Sequence, residues 1–188
     1  MHVRLSTCLG TEVIDRSTDE RIGSLSGLFV HPDTGKLEGI YITMSSVMFG
    51  SASRLFCGSD DIVHWGATLH IRSHSCLSPF EDRIRLLPLL AEGRMIIGQY
   101  VRSEAGRPMG ICKDMQIDTE KMRLEWLFPR RFFQQGIAIP AADIVEVRRE
   151  AIIVRDQLKA EEVRTYEEKS SPILESFPEI AEARVSEN

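Results

Sequence analysis

The sequence predicts an all-β protein: two small β-barrels in tandem, joined by a short helical linker and followed by a partly helical C-terminal tail. Three observations predict it. The first is an internal repeat. Residues 9–42 read LGTEVIDRSTDERIGSLSGLFVHPDTGKLEGIYI, and residues 97–126 read IGQYVRSEAGRPMGICKDMQIDTEKMRLEW. Gly10 answers Gly98, Gly23 answers Gly110, Val30 answers Ile117 and Leu37 answers Leu124. A later echo sets Asp61, Ile62 and Val63 against Asp143, Ile144 and Val145. Two copies of one unit set the architecture before any single residue is considered. The second observation is the spacing: short apolar runs with turn residues between them suit strands rather than helices. The third is glycine inside the longest apolar run, at Gly23 and Gly27, where a strand must bulge or bend.

The first unit opens with a strand around Thr11, Val13 and Asp15, then a polar turn at residues 17–20. A strand follows from Ile22 to His31, interrupted by its glycines. Pro32 and Gly35 punctuate a turn. Residues 37–44 return as the second arm of a hairpin. Residues 45–59, rich in Ser and Gly, suggest no element. Asp60 and Asp61 begin a short turn and a last hairpin ending at Ile71. The second unit keeps the order, with turns at residues 105–108 and 118–121 and a helical turn at 141–143. Strands at 145–147 and 151–154 close it.

Between the units, Phe80, Ile84, Leu87 and Leu90 suggest a short helix packed on the barrels, limited or kinked by Pro88. In the tail, Ser171 and Pro172 suggest a helix start. Ile173, Leu174, Phe177 and Ile180 then form an apolar stripe. That stripe suits a docking peptide, a segment packed on its own barrel, or a disordered end.

The pattern of Gly, a following Val, a polar turn and a second Gly-led strand resembles the PRC-barrel family. Gly10, Val13, Gly23, Gly27, Leu28 and Val30 carry it in the first unit. Gly110, Asp114, Met115 and Ile117 carry it in the second. Ile137, Ile139, Pro140, Asp143 and Ile144 look like the family's closing segment. The resemblance implies a PRC-type barrel at residues 1–74 and a second at 95–156; the residues themselves give the linker at 75–94 and the acidic tail at 157–188. Members include the cytoplasmic portion of the photosynthetic reaction-centre H subunit and the C-terminal domain of a ribosome-maturation factor. In both, the barrel is a binding surface. The sequence shows neither the membrane helix of the first nor the RNA-factor domain of the second, so the resemblance implies a stand-alone tandem adaptor.

Composition bounds the function. The 188 residues are 43% hydrophobic and 27% charged, which suits a globular protein. No run approaches the length of a membrane span, and the opening MHVRLSTCLG lacks a signal-peptide core, so a cytoplasmic location is expected. The net charge of −5 resides in residues 156–188, while residues 1–155 hold 19 acidic and 19 basic side chains. A neutral body argues against tight nucleic-acid binding, which brings a clear basic footprint. The acidic run of Glu161, Glu162, Glu167 and Glu168 suits a solvated helical face. Cys8, Cys57, Cys76 and Cys112 are scattered and read as free thiols rather than a disulfide framework.

Candidate chemistry is sparse. Cys57, His64, His70, His74 and Cys76 invite a metal reading, but strand spacing keeps the histidines from converging unless the chain turns there. Solvent-facing histidines are the better expectation, and no metal or cofactor is predicted. No nucleophile elbow, phosphate loop or dinucleotide fingerprint occurs. The sharpest local feature is the segment holding Trp126, Phe128, Arg130, Arg131, Phe132 and Phe133. Its aromatics either fill the barrel, with the arginines topping a hairpin, or anchor a partner. Base stacking is a third option.

Together these features predict a non-enzymatic cytoplasmic interaction or scaffold protein. It would bind a protein partner through Trp126, Phe128, Arg130, Arg131, Phe132 and Phe133 and through Ile173 and Phe177 of the tail. The alternative is an accessory factor in ribosome or rRNA maturation, and an enzyme is the third class. Self-association is compatible with either binding role.

Overall fold

The sequence repeat becomes two sheets with the same strand order. The computed structural model describes residues 1–44, 53–131 and 137–156, which lie in one compact unit, Met1–Leu158. The fold is mostly β, with two mixed sheets and a few short helices. The first part of the chain forms β1 (His2–Arg4), α1 (Leu5–Cys8), β2 (Glu12–Asp15), β3 (Arg21–Val30) and β4 (Leu37–Met44). It continues as β5 (Ser53–Gly58), β6 (Ile62–Trp65) and β7 (Leu69–Ile71). After α2 (Leu87–Ala91), the second repeat forms β8 (Tyr100–Ser103), β9 (Pro108–Asp118) and β10 (Arg123–Arg130). It ends with β11 (Ile139–Pro140), β12 (Ile144–Val147) and β13 (Ala151–Val154).

One sheet runs β5-β4-β3-β2-β7-β6 and the other β11-β10-β9-β8-β13-β12. In each, the last hairpin returns to lie parallel to the repeat's first strand. Val13 sits opposite Leu69, and Tyr100 opposite Ala151. Sequence spacing predicted these hairpins but not their return, which takes a long-range pairing. β5 falls where the sequence suggested no element.

The echoing glycines have one cause. Gly110 has φ +120°, and a Cβ there would lie 2.6 Å from the carbonyl oxygen of Arg130. At Gly23 a Cβ would lie 2.4 Å from the carbonyl oxygen of Thr43. Gly23 and Gly110, like Thr43 and Arg130, are 87 positions apart, so both repeats cross two strands at the same tight point.

The repeats join across equivalent residues. Lys36 pairs with Arg123 in an antiparallel bridge. The Leu37 N–H donates to Met122 O at 2.8 Å, and the Leu124 N–H donates to Gly35 O at 2.7 Å. Gly35, Lys36 and Leu37 correspond to Met122, Arg123 and Leu124 by the same shift of 87. The two hydrogen bonds are therefore mirror partners about a local two-fold axis, as in an isologous dimer contact. Behind this contact, Val13, Leu25, Ile40, Ile42, Leu69 and Ile71 share one buried cluster with Val101, Met115, Ile117, Leu127 and Ile152. Residues 2–4, first-repeat by sequence, also cross over: β1 pairs with β9, with Val3 opposite Ile117.

Neither sheet closes by strand pairing among the described residues. The ends of each path are joined instead by a one-turn 3-10 helix, Ser59–Asp61 or Ala141–Asp143. These turns pack against β4 and β10.

The linker differs from the expected helix. It holds two separate turns, Phe80–Asp82 and the five-residue α2. Phe80 and Leu86 are buried, while Ile84 and Leu90 are exposed. Pro88 stands in the first turn of α2, where its missing N–H has no helical partner to lose, so it starts the helix rather than kinking it.

A carboxylate ties the first strand of each repeat to the end of its last hairpin. Asp15 accepts from Ser17 Oγ at 2.6 Å and from the His74 N–H at 2.6 Å. In the second repeat the corresponding positions are Ser103 and Asp156, and the carboxylate has changed sides. Asp156 accepts from the Ala105 N–H at 2.9 Å and from Arg107 at 2.7 Å. The Ser17 hydroxyl first, then the His74 N–H, hold the Asp15 carboxyl below its ordinary value. The Ser103 hydroxyl, then Arg107, do the same for Asp156.

Gly23→Ala and Gly110→Ala should each lower stability by about 3 kcal/mol, read from urea midpoints, because backbone must move at both sites. The carboxylates set a pH response. A depressed folded value contributes stability in full above the unfolded value near ~4, and the contribution is lost as pH falls through the folded value. The urea midpoint should therefore fall as pH drops from about 5 to 2, and Asp15→Asn should flatten that fall.

Candidate functional site

The outer face of β10 brings together most of the described residues of the aromatic-arginine segment. Along this strand Leu124, Leu127 and Pro129 are buried, whereas Trp126 and Phe128 are half-buried and Arg130 is exposed. A register shift between Leu124 and Trp126 resets the alternation. Past it, period 2 places Trp126, Phe128 and Arg130 on one face. Leu124 and Leu127, not the aromatics, join the main core. Arg131, beyond the strand, is exposed. Phe132, Phe133, Ile173 and Phe177 lie outside the described residues.

A residue not singled out in the sequence completes this face. The Arg4 guanidinium lies over the Phe128 ring, 3.8 Å from its centroid. The two are 124 positions apart, and only the pairing of β1 with β9 brings them together. Asp114 anchors that arrangement. It is buried, and its carboxylate accepts from the Ser6 N–H at 3.0 Å, Ser6 Oγ at 2.6 Å and the Met115 N–H at 2.9 Å. Ser6 is in α1, so the carboxylate holds the segment carrying Arg4 against β9. His2 Nδ1 lies 2.8 Å from Glu125, which also accepts from Gln116 at 3.0 Å.

The equivalent face of the first repeat is covered by the linker. Tyr41 corresponds to Phe128, and Arg54 lies over it at 3.9 Å, matching Arg4. There, however, Phe29, Tyr41 and Phe56 form a second buried cluster with Phe80 and Leu86 from the linker. Phe80 meets Phe29 and Phe56 edge-on at 5.1 and 5.0 Å. Trp126 stands where the first repeat has Gly39, whose Cβ would lie 2.3 Å from the Phe56 ring. The two faces are thus built for different covers.

A cleft of about 520 Å³ lies beside the two-fold contact, lined by residues that include Asp33, Thr34, Asp118, Arg123, Glu125 and Glu146. Its charges are engaged locally. Asp33 pairs with Arg94, Asp118 with Lys121 at 3.5 Å, and Glu146 with Arg148 at 2.7 Å. Arg123 donates to Thr34 O at 2.8 Å.

The suspected metal residues do not gather. Among the described residues no group of three or more His, Cys, Asp or Glu is placed to hold a metal ion. His64 and His70 face each other across β6 and β7 with ring centroids 5.9 Å apart. His74 meets Asp15 through its backbone N–H. Cys57 and Cys76 stand together, Sγ to Sγ 3.7 Å.

No protein-family model matches the chain, and no match is found among curated proteins. Among the described residues no helix is long and apolar enough to cross a membrane.

Asp114→Ala should cost about 2 kcal/mol, because the charge-assisted hydrogen bonds from the Ser6 N–H, Ser6 Oγ and the Met115 N–H lose their acceptor. Its effect should show as a lower urea midpoint and as a change in tryptophan emission near Trp126.

Proposed function

We propose that this protein is a non-enzymatic interaction or scaffold module that holds a protein partner on the outer face of β10. The observation that carries the reading is the contrast between equivalent faces. The first repeat covers its aromatics with Phe80 and Leu86, while among the described residues the second sets half-buried Trp126 and Phe128 beside Arg4 and exposed Arg130. Trp, Phe and Arg are the residue types that anchor protein interfaces, and aromatics held rigidly by a sheet lose little entropy on binding. The partner would be a protein with an apolar anchor and carboxylates, placed to meet the two arginines.

Asp15, Ser17 and His74 meet through a hydroxyl and two backbone N–H groups, an arrangement that braces a turn. We also propose that each repeat is a PRC-type barrel unit, opened where the one-turn helix replaces strand pairing. The repeated glycines and common strand order support this reading. A role in ribosome or rRNA maturation rests on that resemblance, and a cytoplasmic location on the sequence composition.

The test compares intact protein with Arg130→Glu plus Arg131→Glu in pull-downs from the native host, with and without RNase. Loss of a partner in the variant, with RNase having no effect on the intact protein, is the expected result. A partner that stays bound to the variant removes this face from consideration. Ribosomal components lost only on RNase treatment would favour the maturation role.

A further inference from the structure

We propose that Cys57 and Cys76 form a reversible disulfide that locks the linker onto the first sheet. The two sulfurs are 3.7 Å apart, already in contact, although the residues are separated by 19 positions. Their backbones are held near one another by bonds that do not involve sulfur. The Phe56 N–H donates to Ser78 O at 2.8 Å, and the Ser78 N–H donates to Phe56 O at 3.2 Å. The Leu77 N–H closes a turn onto His74 O at 3.1 Å, and Arg83 donates to Cys76 O at 2.7 Å. Side-chain rotation has only to close the gap to ~2.05 Å. All four thiols lie near a carbonyl oxygen, Cys8 at Leu5 O, Cys57 at Gly58 O, Cys76 at Ser73 O and Cys112 at Asp114 O, and what sets Cys57 and Cys76 apart is their contact with each other.

The pair is asymmetric in the way exchange requires. Cys76 is partly exposed and Cys57 is fully buried. Arg83 lies beside them, its Nε buried without a hydrogen-bond partner, and its charge offsets only a small part of the burial that disfavours the Cys57 thiolate. The oxidant is a low-molecular-weight disulfide. The Cys76 thiolate attacks one of its sulfurs, forming a mixed disulfide and expelling one thiolate. The Cys57 thiolate then attacks Cys76 Sγ, forming the protein disulfide and expelling the second. Two protein thiols lose two protons and two electrons, and the small disulfide is reduced to two thiols. Burial, followed by the neighbouring Cys76, pushes the Cys57 thiol above its ordinary range, so the second step quickens as pH rises.

The consequence is structural. Cys57 follows Phe56 on β5, and Cys76 precedes the segment that delivers Phe80 to the aromatic cluster. The bond would fix that cover in place and leave the face of β10 as it is.

Oxidised glutathione applied to the native full chain is the probe. The intact mass should fall by about 2 Da after transient addition of one glutathione, and alkylatable thiols should drop from four to two. Trypsin should then release residues 55–72 linked to residues 73–83, and a reductant should separate them. Cys76→Ser, at a partly exposed position, should abolish the link, while Cys8→Ser plus Cys112→Ser should keep it. Four thiols that stay alkylatable, a glutathione adduct on Cys76 that never resolves, or a link to Cys8 or Cys112 would each overturn the proposal.

Discussion

The antiparallel bridge between Lys36 and Arg123 organises the molecule. Each residue sits at the same place in its repeat, one step before Leu37 or Leu124, so the contact is self-complementary. Leu37 and Leu124 enter the common core immediately after it. A unit of this size buries too little apolar surface to be secure alone, and pairing about a two-fold axis doubles the core at no cost in new sequence. Both turns enter the contact through a left-handed residue, Gly35 at φ +66° and Met122 at +47°. The crossing of β1 onto β9 adds a second tie, so the boundary between repeats in sequence is not a boundary in space.

Once the shared contact satisfies the inner faces, the outer faces diverge. Gly39 leaves room for the Phe56 ring, which Phe80 from the linker meets edge-on as cover. The matching position holds Trp126, and Arg4 crosses over to stack on Phe128. Both faces keep an arginine over the corresponding ring, Arg54 or Arg4, taken from different parts of the chain. Duplication therefore preserved the local chemistry around Tyr41 and Phe128 while the covering elements changed.

The same divergence appears at the carboxylate braces. One repeat places the acid on the first strand, as Asp15, and the other places it after the last, as Asp156. Either choice satisfies the turn N–H groups, since the acceptor can come from whichever side of the parallel pair is nearer. Position-by-position comparison of the repeats misses this, because neither acid is matched by an acid.

Sequence by itself determined the duplication, the strand order along the chain and the turns, because glycine, proline and period-2 patterning are local signals. Gly23 and Gly27 marked a bulge or bend, and the structure shows that Gly23 and its counterpart Gly110 each lie against the carbonyl of a neighbouring strand. The sequence also marked Trp126, Phe128, Arg130 and Arg131 as a group, although it left open whether the aromatics filled the core. Tertiary structure decided that Leu124 and Leu127 take the core and the aromatics the outer face, because a bulge after Leu124 resets the alternation. It decided too that Phe80 and Leu86, rather than Ile84 and Leu90, cover the first sheet, since two short turns replace one continuous helix. The parallel return of each last hairpin, the placing of Arg4 on Phe128 and the meeting of Cys57 with Cys76 are pairings between distant residues. No local pattern encodes these, because they exist only once both repeats have closed on a common core.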